Sequence, residues 1–162
     1  MTMDDRAAHL IDALELNPHP EGGYYREVYR SSDRVTAGTR GERPAVTTIY
    51  FLLTGGECSR WHVVQSDEIW HYYEGDPLEL LNLDPVSLEV RSTTLGPFDT
   101  GQEPVHVVPA GQWQAARPAG AYTLVGCSVG PGFEFADFRL MRDDQETERR
   151  VLQAHPDLVS ML

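Results

Sequence analysis

Residues 55–75 read GGECSRWHVVQSDEIWHYYEG. Glycines bracket two short runs, RWHVV and DEIWHYY, which consist largely of β-branched and aromatic residues. Runs of this composition between turn residues predict two strands. Because side chains alternate between the faces of a strand, His62 and Val64 share one face of the first strand. Glu68 and Trp70 share one face of the second, and we expect both faces to point into the protein.

The β-rich pattern continues from Val46 through most of the chain. Short apolar runs such as TTIYFLL, LELLNL and AYTLVGCSV alternate with the turn signals GDP, PAG and GPG. Many short strands at a spacing of about ten residues predict a sandwich or barrel. Helices are predicted over residues 5–16 and in the tail up to Ala154, and the polar residues 31–44 are predicted to form a surface loop. We expect one domain over residues 1–162.

Composition excludes several classes of function. The formal net charge is −12, from 13 basic and 25 acidic residues, so a nucleic-acid backbone would be repelled. All 13 of those basic residues are arginines, which excludes Schiff-base chemistry on a lysine. No apolar run reaches the roughly 18 residues of a membrane span, and we see no secretory signal. With only two cysteines, the expected location is the reducing cytoplasm.

The spacing of the glycines, the histidine and the glutamate resembles the first motif of the cupin superfamily. That motif is a glycine, two histidines, a glutamate and a second glycine. A second cupin motif, with proline, glycine and histidine, is similar to residues 109–114. Val64 and Gln114 stand where the superfamily has histidines. The resemblance implies an all-β jelly roll, also called a double-stranded β-helix, with short helices at both ends.

Longer stretches narrow the resemblance to one family. PHPEGGYYREVYRS, TTIYFLL, SDEIWHYYEGDPLEL, VVPAGQWQAA and YTLVGCSVGPGFEF are together similar to the family catalogued as domain of unknown function 985, or cupin type 5. This similarity extends over residues 14–140. It implies a fold like that of deoxysugar-nucleotide epimerases and seed-storage cupins, without defining the reaction.

One interpretation of these residues is a metal site. The resemblance implies that His62, Glu68 and Gln114 occupy metal-ligand positions, for a divalent ion such as Zn, Fe, Ni or Mn. Val64 cannot coordinate a metal, and a glutamine amide is a weak ligand for transition metals. We therefore expect any metal to be bound loosely.

The other interpretation is a site without metal. Glu68, on the strand next to His62, would hold the imidazole in one tautomer and raise its basicity, as a general base requires. Epimerases of similar fold use a histidine as the base and a tyrosine as the acid. The resemblance therefore implies a tyrosine acid, and Tyr72, Tyr50 and Tyr24 are the candidates. The spacing does not choose among them.

Polar and aromatic residues elsewhere are candidate ligand contacts. The segment PHPEGGYYREVYRS carries Arg26, which we expect either to bind an anionic group of a ligand or to pair with Glu21 or Glu27 across a subunit interface. A homodimer is expected, since strands at a barrel edge need covering. The predicted ligand contacts are Arg26, Tyr50, Trp70 and Gln114.

The expected function is small-molecule binding, with acid–base isomerase or epimerase chemistry on a carbohydrate-like or sugar-nucleotide-like ligand. His62 is the expected base, Glu68 its orienting partner, and Tyr72 the first candidate for the acid. Two alternatives stay open: a ligand-binding cupin without catalysis, and a metal-dependent cupin oxygenase or isomerase.

Overall fold

The computed structural model describes residues 3–99 and 101–162. The helices are α1 (Asp5–Ala13) and α2 (Gln145–Ala154). The strands are β1 (Asn17–Pro18), β2 (Tyr24–Arg30), β3 (Arg34–Thr36), β4 (Glu42–Pro44), β5 (Thr47–Thr54), β6 (Ser59–Val64), β7 (Asp67–Gly75), β8 (Leu78–Leu83), β9 (Val90–Leu95), β10 (Val105–Val108), β11 (Trp113–Pro118), β12 (Tyr122–Gly130) and β13 (Phe138–Leu140). Short 3₁₀ helices span Gly38–Arg40, Phe135–Asp137, Met141–Asp143 and Pro156–Met161.

Two antiparallel sheets face each other. One has the strand order β1-β2-β5-β12-β7-β10, and the other has the order β13-β6-β11-β8-β9. This is the predicted jelly roll with a helix near each end of the chain. The turn after Val64 moves the chain from one sheet to the other, so β6 and β7 lie on opposite sides of the interior. The expectation that these two strands are neighbours within one sheet is wrong.

Three hydrophobic clusters stabilise the sheets. The cluster between them fills part of the interior and includes Phe51, Trp70, Leu80 and Ala116. On the outer face of the five-stranded sheet, Trp61 and Trp113 pack with residues of α2 and the C-terminal 3₁₀ helix. On the outer face of the six-stranded sheet, α1 packs on β5 and β12. Each large apolar side chain that is fully buried contributes about 1.5–3 kcal/mol to stability, and this burial holds both helices against the sheets.

The ends of the predicted helices follow local chemistry. α1 begins after Asp4, whose carboxylate accepts hydrogen bonds from the backbone N–H groups of Arg6 and Ala7. It ends at Ala13, three residues earlier than predicted. The tail beyond Pro156 packs on the five-stranded sheet through Leu158 and Met161. None of the helices within residues 3–99 and 101–162 has the length and apolar character that crossing a membrane requires.

Residues 31–44 differ from the prediction of a plain surface loop. They contain a hairpin, in which β3 pairs with β4 from Arg34↔Pro44 to Thr36↔Glu42. Two arginines anchor this hairpin to a distant carboxylate. Asp137 accepts from Arg40 at 2.7 Å and from the Arg43 guanidinium at 2.8 and 2.9 Å. The carboxylate is almost fully buried, and the two guanidiniums hold its pKa below the ordinary value.

Candidate functional site

A cavity of about 420 Å³ opens into the barrel at one end of the hydrophobic core. Its buried end is polar, and its wall is aromatic. The polar residues are His19, Glu21, His62, Glu68 and Cys127. The aromatic residues are Tyr25, Phe133, Phe135 and Phe138, and the exposed rim carries Arg26, Glu27, Arg30 and Glu134. An enclosed space with apolar walls and a few convergent polar groups is typical of a small-molecule site.

Both sheets contribute to the polar end. His62 lies on β6, opposite Gln114 of β11 and Leu140 of β13. Glu68 lies on β7, opposite Val129 of β12 and Val108 of β10. Because the sheets face each other, these side chains approach the cavity from opposite walls.

Glu21 enters the cavity through the turn before β2. The backbone carbonyl of Glu21 accepts the N–H of Arg60 at 2.8 Å, which holds this turn against β6. Gly22 has φ of 109°, and a Cβ there would overlap the backbone carbonyl of Cys58. Only glycine combines that conformation with so close an approach. The PHPEGG segment therefore supplies both a carboxylate and the turn that carries it inward.

His62 is held in one tautomer. Its Nδ1 lies 2.7 Å from the carbonyl oxygen of Arg60, which can only accept, so Nδ1 carries the proton. Its Nε2 lies 3.0 Å from Oε2 of Glu21. Neither a bare carboxylate nor a bare Nε2 can donate, so one proton lies between the two atoms. The partner expected from the sequence is Glu68, and this expectation is wrong because Glu21 occupies the place beside the ring.

Burial favours the neutral forms of this pair. It lowers the pKa of His62 to about 4. It raises the pKa of Glu21 well above the ordinary value, and the nearby Glu68 charge raises it further. The two directions agree that the shared proton lies mainly on Glu21 at neutral pH, with His62 accepting the hydrogen bond.

Glu68 belongs to a second hydrogen-bond chain. The Trp70 Nε1–H donates to Oε1 of Gln114 at 2.9 Å, and Nε2 of Gln114 donates to Glu68. An indole nitrogen can only donate, so this contact fixes which end of the Gln114 amide faces Glu68. Burial raises the pKa of Glu68 to about 7, although hydrogen bonds from Gln114 and Cys127 act in the opposite direction.

The family profile described as Cupin superfamily (DUF985) matches residues 8–141. This chain is a cupin of the DUF985 family. A hypothetical protein from Leishmania major has 34% identity and a TM-score of 0.81, with 96% of each chain covered. A protein from Shewanella oneidensis has 34% identity and a TM-score of 0.84, over 100% of this chain and 98% of that one.

More distant structures share only the fold. The cupin resembles oxalate decarboxylase from Bacillus subtilis with a TM-score of 0.60 and 16% identity, over 89% of this chain and 35% of that one. Comparison with functionally curated proteins gave no match. The family and the jelly roll predicted from the sequence are both confirmed.

The metal-ligand positions of other cupins do not form a metal site in this one. The oxygen of Gln114 already accepts from Trp70, and its N–H end faces Glu68. Val64 has no donor atom, and Nε2 of His62 faces Glu21. Within residues 3–99 and 101–162, no group of three or more His, Cys, Asp or Glu side chains is arranged to hold a metal. The predicted set of His62, Glu68 and Gln114 therefore lacks the arrangement that a divalent ion needs.

The three candidate tyrosine acids lie away from the cavity. The hydroxyl of Tyr72 donates to the Gly75 carbonyl at 2.6 Å. Tyr50 packs edge-on against Tyr73, and Tyr24 packs in the outer cluster beneath α1. Of the tyrosines in the described ranges, the one that lines the cavity is Tyr25.

The remaining predicted ligand contacts fall into two groups. Arg26 lies at the rim, where it pairs with Glu15 at 3.1 Å rather than with Glu21 or Glu27 of the same chain. Trp70 and Gln114 are buried and do not line the cavity; the hydrogen bonds from Trp70 to Gln114 and from Gln114 to Glu68 connect them to it.

Three residues of the site, His19, Glu21 and Cys127, are not predicted from the sequence. The PHPEGG pattern indicates ion pairing for Glu21, and the apolar run around Cys127 indicates a core residue. Cys127 is buried, but it also lines the cavity, where Glu68 raises the pKa of its thiol in addition to the larger effect of burial. The sequence feature that could have indicated the position of Glu21 is the glycine pair that follows it, because such a pair marks a tight turn packed against another backbone segment.

Proposed function

We propose that this cupin is a small-molecule enzyme that transfers protons by acid–base catalysis, of the isomerase or epimerase class, on a carbohydrate-like ligand. One observation carries the proposal. A buried carboxyl–imidazole pair that holds a single proton and a separate buried carboxyl whose pKa is near neutrality line the same cavity. Two groups with different proton affinities are what an acid and a base require.

Glu68 is the better base of the two. A pKa of about 7 leaves a substantial fraction ionised at neutral pH, and it matches the proton affinity that general bases need. The low pKa of His62 and its contact with Glu21 make the imidazole alone a poor base. The Glu21–His62 pair is better suited to donate its shared proton and take it back. This assignment reverses the roles that we expected for His62 and Glu68.

The proposed step keeps protons and electrons in balance. Glu68 removes a proton from a carbon next to a carbonyl group, and the C–H electron pair moves to form an enediol. The Glu21–His62 pair gives its proton to the carbonyl oxygen, which leaves a Glu21 carboxylate and a neutral imidazole. Reprotonation of the neighbouring carbon by Glu68, with return of an O–H proton to the pair, completes an isomerisation and needs no oxidant or reductant.

The cavity favours a ligand with a compact, uncharged reacting end. Its aromatic wall, which includes Tyr25 and Phe138, suits the apolar faces of a sugar ring. Unpaired charge is costly at the buried end, and ionised Glu68 repels an anion there, so any anionic part of the ligand belongs at the rim, near Arg26 and Arg30. A sugar or a sugar-nucleotide-like molecule fits this division.

Solvent deuterium exchange tests the proposal. The protein would be incubated in D₂O with dihydroxyacetone, D-fructose and D-mannose, and loss of C–H signals beside the carbonyl followed by proton NMR. We expect exchange with at least one compound, abolished in Glu68→Gln and reduced at least about 100-fold in His62→Gln. His71→Gln is the matched control, because His71 does not line the cavity. Tight binding without exchange would instead indicate a ligand-binding cupin.

We also propose a cytoplasmic homodimer. Val28 and Tyr29 on β2 expose about half of their surface next to the cavity rim, where a second copy would cover them. Light scattering should give the mass of a dimer, and Tyr29→Glu should shift it toward a monomer. A monomer mass for the wild type would remove this part of the proposal.

A further inference from the structure

Two imidazoles flank one carboxyl oxygen at the buried end of the cavity. Oε2 of Glu21 lies 3.0 Å from Nε2 of His62 and 3.8 Å from Nδ1 of His19. Both rings also contact Phe138, with centroids 5.5 and 5.8 Å away. His19, Glu21 and His62 therefore form one cluster, although the proposed function uses only two of its members.

Hydrogen-bond polarity assigns opposite tautomers to the two rings. The backbone N–H of Glu21 donates to Nδ1 of His19 at 3.1 Å, so that nitrogen carries a lone pair and the ring proton is on Nε2. His62 has its proton on Nδ1, where it donates to the Arg60 carbonyl. His62 therefore presents a lone pair to Glu21, whereas His19 has an N–H to offer elsewhere.

The Nε2–H of His19 is available to a ligand. The ring lines the cavity and is packed edge-on against Tyr25 and Phe138. Among the described residues, no side chain or backbone oxygen accepts a hydrogen bond from this nitrogen. Burial, followed by the effect of His62, lowers the pKa of His19 to about 3, so the ring remains neutral and keeps a single donor.

We infer that His19 is a third substrate-contacting group, whose Nε2–H donates to one oxygen of the ligand while the Glu21–His62 pair serves the adjacent oxygen. This role rests on the proposed function and deepens it. The His19 ring adjoins Glu21 through Nδ1, which lies 3.8 Å from Oε2, and it carries its Nε2–H on the other side of the ring, so the two donors can serve two different oxygens of one ligand. The substrate class is an α-hydroxycarbonyl compound, whose enediol carries the two oxygens that these donors serve. A neutral imidazole stabilises the developing oxyanion without giving up its proton.

The tautomers can be measured without any ligand. The full-length protein would be labelled with [¹⁵N]histidine, and two-bond proton–nitrogen correlation spectra recorded between about pH 5.5 and 8, with assignments from His19→Gln and His62→Gln. We expect His19 as the neutral Nε2–H form and His62 as the Nδ1–H form throughout. A His19 ring protonated on Nδ1 alone, or on both nitrogens anywhere in this range, would overturn the inference.

Kinetics of deuterium exchange into dihydroxyacetone test the contact itself. His19→Leu removes the donor and should lower kcat for exchange about 100-fold, whereas His19→Gln keeps an N–H at a similar position and should stay within about tenfold of wild type. Wild-type exchange in His19→Leu, with Glu68→Gln inactive, would reject the role of His19 and leave the proposed function intact. If the wild-type protein exchanges no deuterium into dihydroxyacetone, the proposed function fails. The chemical shift of His19 Nε2 then tests the contact separately: a change on adding dihydroxyacetone supports it, and no change rejects it.

Discussion

Replacing Glu68 with glutamine should change how stability depends on pH. Glu68 is enclosed, and burial raises its pKa from 4.5 to about 7. At about 1.4 kcal/mol for each unit of pKa, this shift means that protonated Glu68 contributes about 3 kcal/mol more to the free energy of unfolding than ionised Glu68 does. The folded state binds this proton more tightly than the unfolded state does. The stability that Glu68 contributes is therefore complete below about pH 4.5 and is lost as the pH rises to about 7.

Urea unfolding followed by tryptophan fluorescence, at several pH values between about 4.5 and 8.5, measures this effect. The free energy of unfolding of Glu68→Gln minus that of the wild type should rise by about 3 kcal/mol from about pH 4.5 to about pH 7. Above that pH the difference should stay constant. The side-chain amide oxygen introduced by this substitution can still accept the hydrogen bond of Gln114, so packing changes little.

The control is Glu74→Gln. Arg6 lowers the pKa of Glu74 to about 2, so this group contributes stability above about pH 4.5 and loses it only in acid. The free energy of unfolding of Glu74→Gln should therefore differ from that of the wild type by the same amount at every pH between about 5 and 8. A constant difference for Glu68→Gln over the same range would show that Glu68 is ionised normally, and the choice of Glu68 as the base would be refuted.

Three further changes test the surroundings of the site. Gln114→Leu removes one hydrogen bond from buried Trp70 and one from buried Glu68, and should cost about 2–4 kcal/mol in the free energy of urea unfolding. A cost below about 0.5 kcal/mol would contradict the chain of hydrogen bonds. Val64→His combined with Gln114→His supplies the two missing histidines. By elemental analysis this variant should bind close to one equivalent of Ni²⁺, against less than about a tenth for the wild type. Equal metal contents would contradict the explanation that Val64 and Gln114 leave the site without enough metal-ligating atoms. Asp137→Asn weakens the pairing with Arg40 and Arg43 and should increase amide hydrogen exchange in the β3–β4 hairpin; unchanged exchange would mean that these pairs do not anchor it.

The jelly roll could be predicted because its signals are local. Turn residues such as Gly75 and Pro109 end short β-branched runs, and alternation determines which side chains share a face. The hairpin within residues 31–44 was not predictable in the same way. Its anchor is Asp137, which is 97 positions from Arg40 in the chain, and nothing in the polar sequence of the loop indicates that contact.

The partners of the site residues depend on the path of the chain between sheets. His62 and Glu68 are close in sequence, which favours a direct pair within one sheet. The turn between β6 and β7 instead crosses to the opposite sheet, and the space beside His62 is taken by Glu21. That contact follows from one backbone hydrogen bond between Arg60 and Glu21 and from the glycine after Glu21. His62 and Glu68 could be named from the sequence, whereas the other members of the site and the pairing between them depend on contacts between distant parts of the chain.

Neutron crystallography of the deuterium-exchanged protein at neutral pH would show whether Glu21 and His62 share one proton, because it locates protons at buried carboxyl and imidazole groups. We expect one deuterium between Oε2 of Glu21 and Nε2 of His62, and another on Nδ1 of His62 facing the Arg60 carbonyl. A Glu21 carboxylate and a His62 Nε2 with no deuterium between them would contradict this expectation.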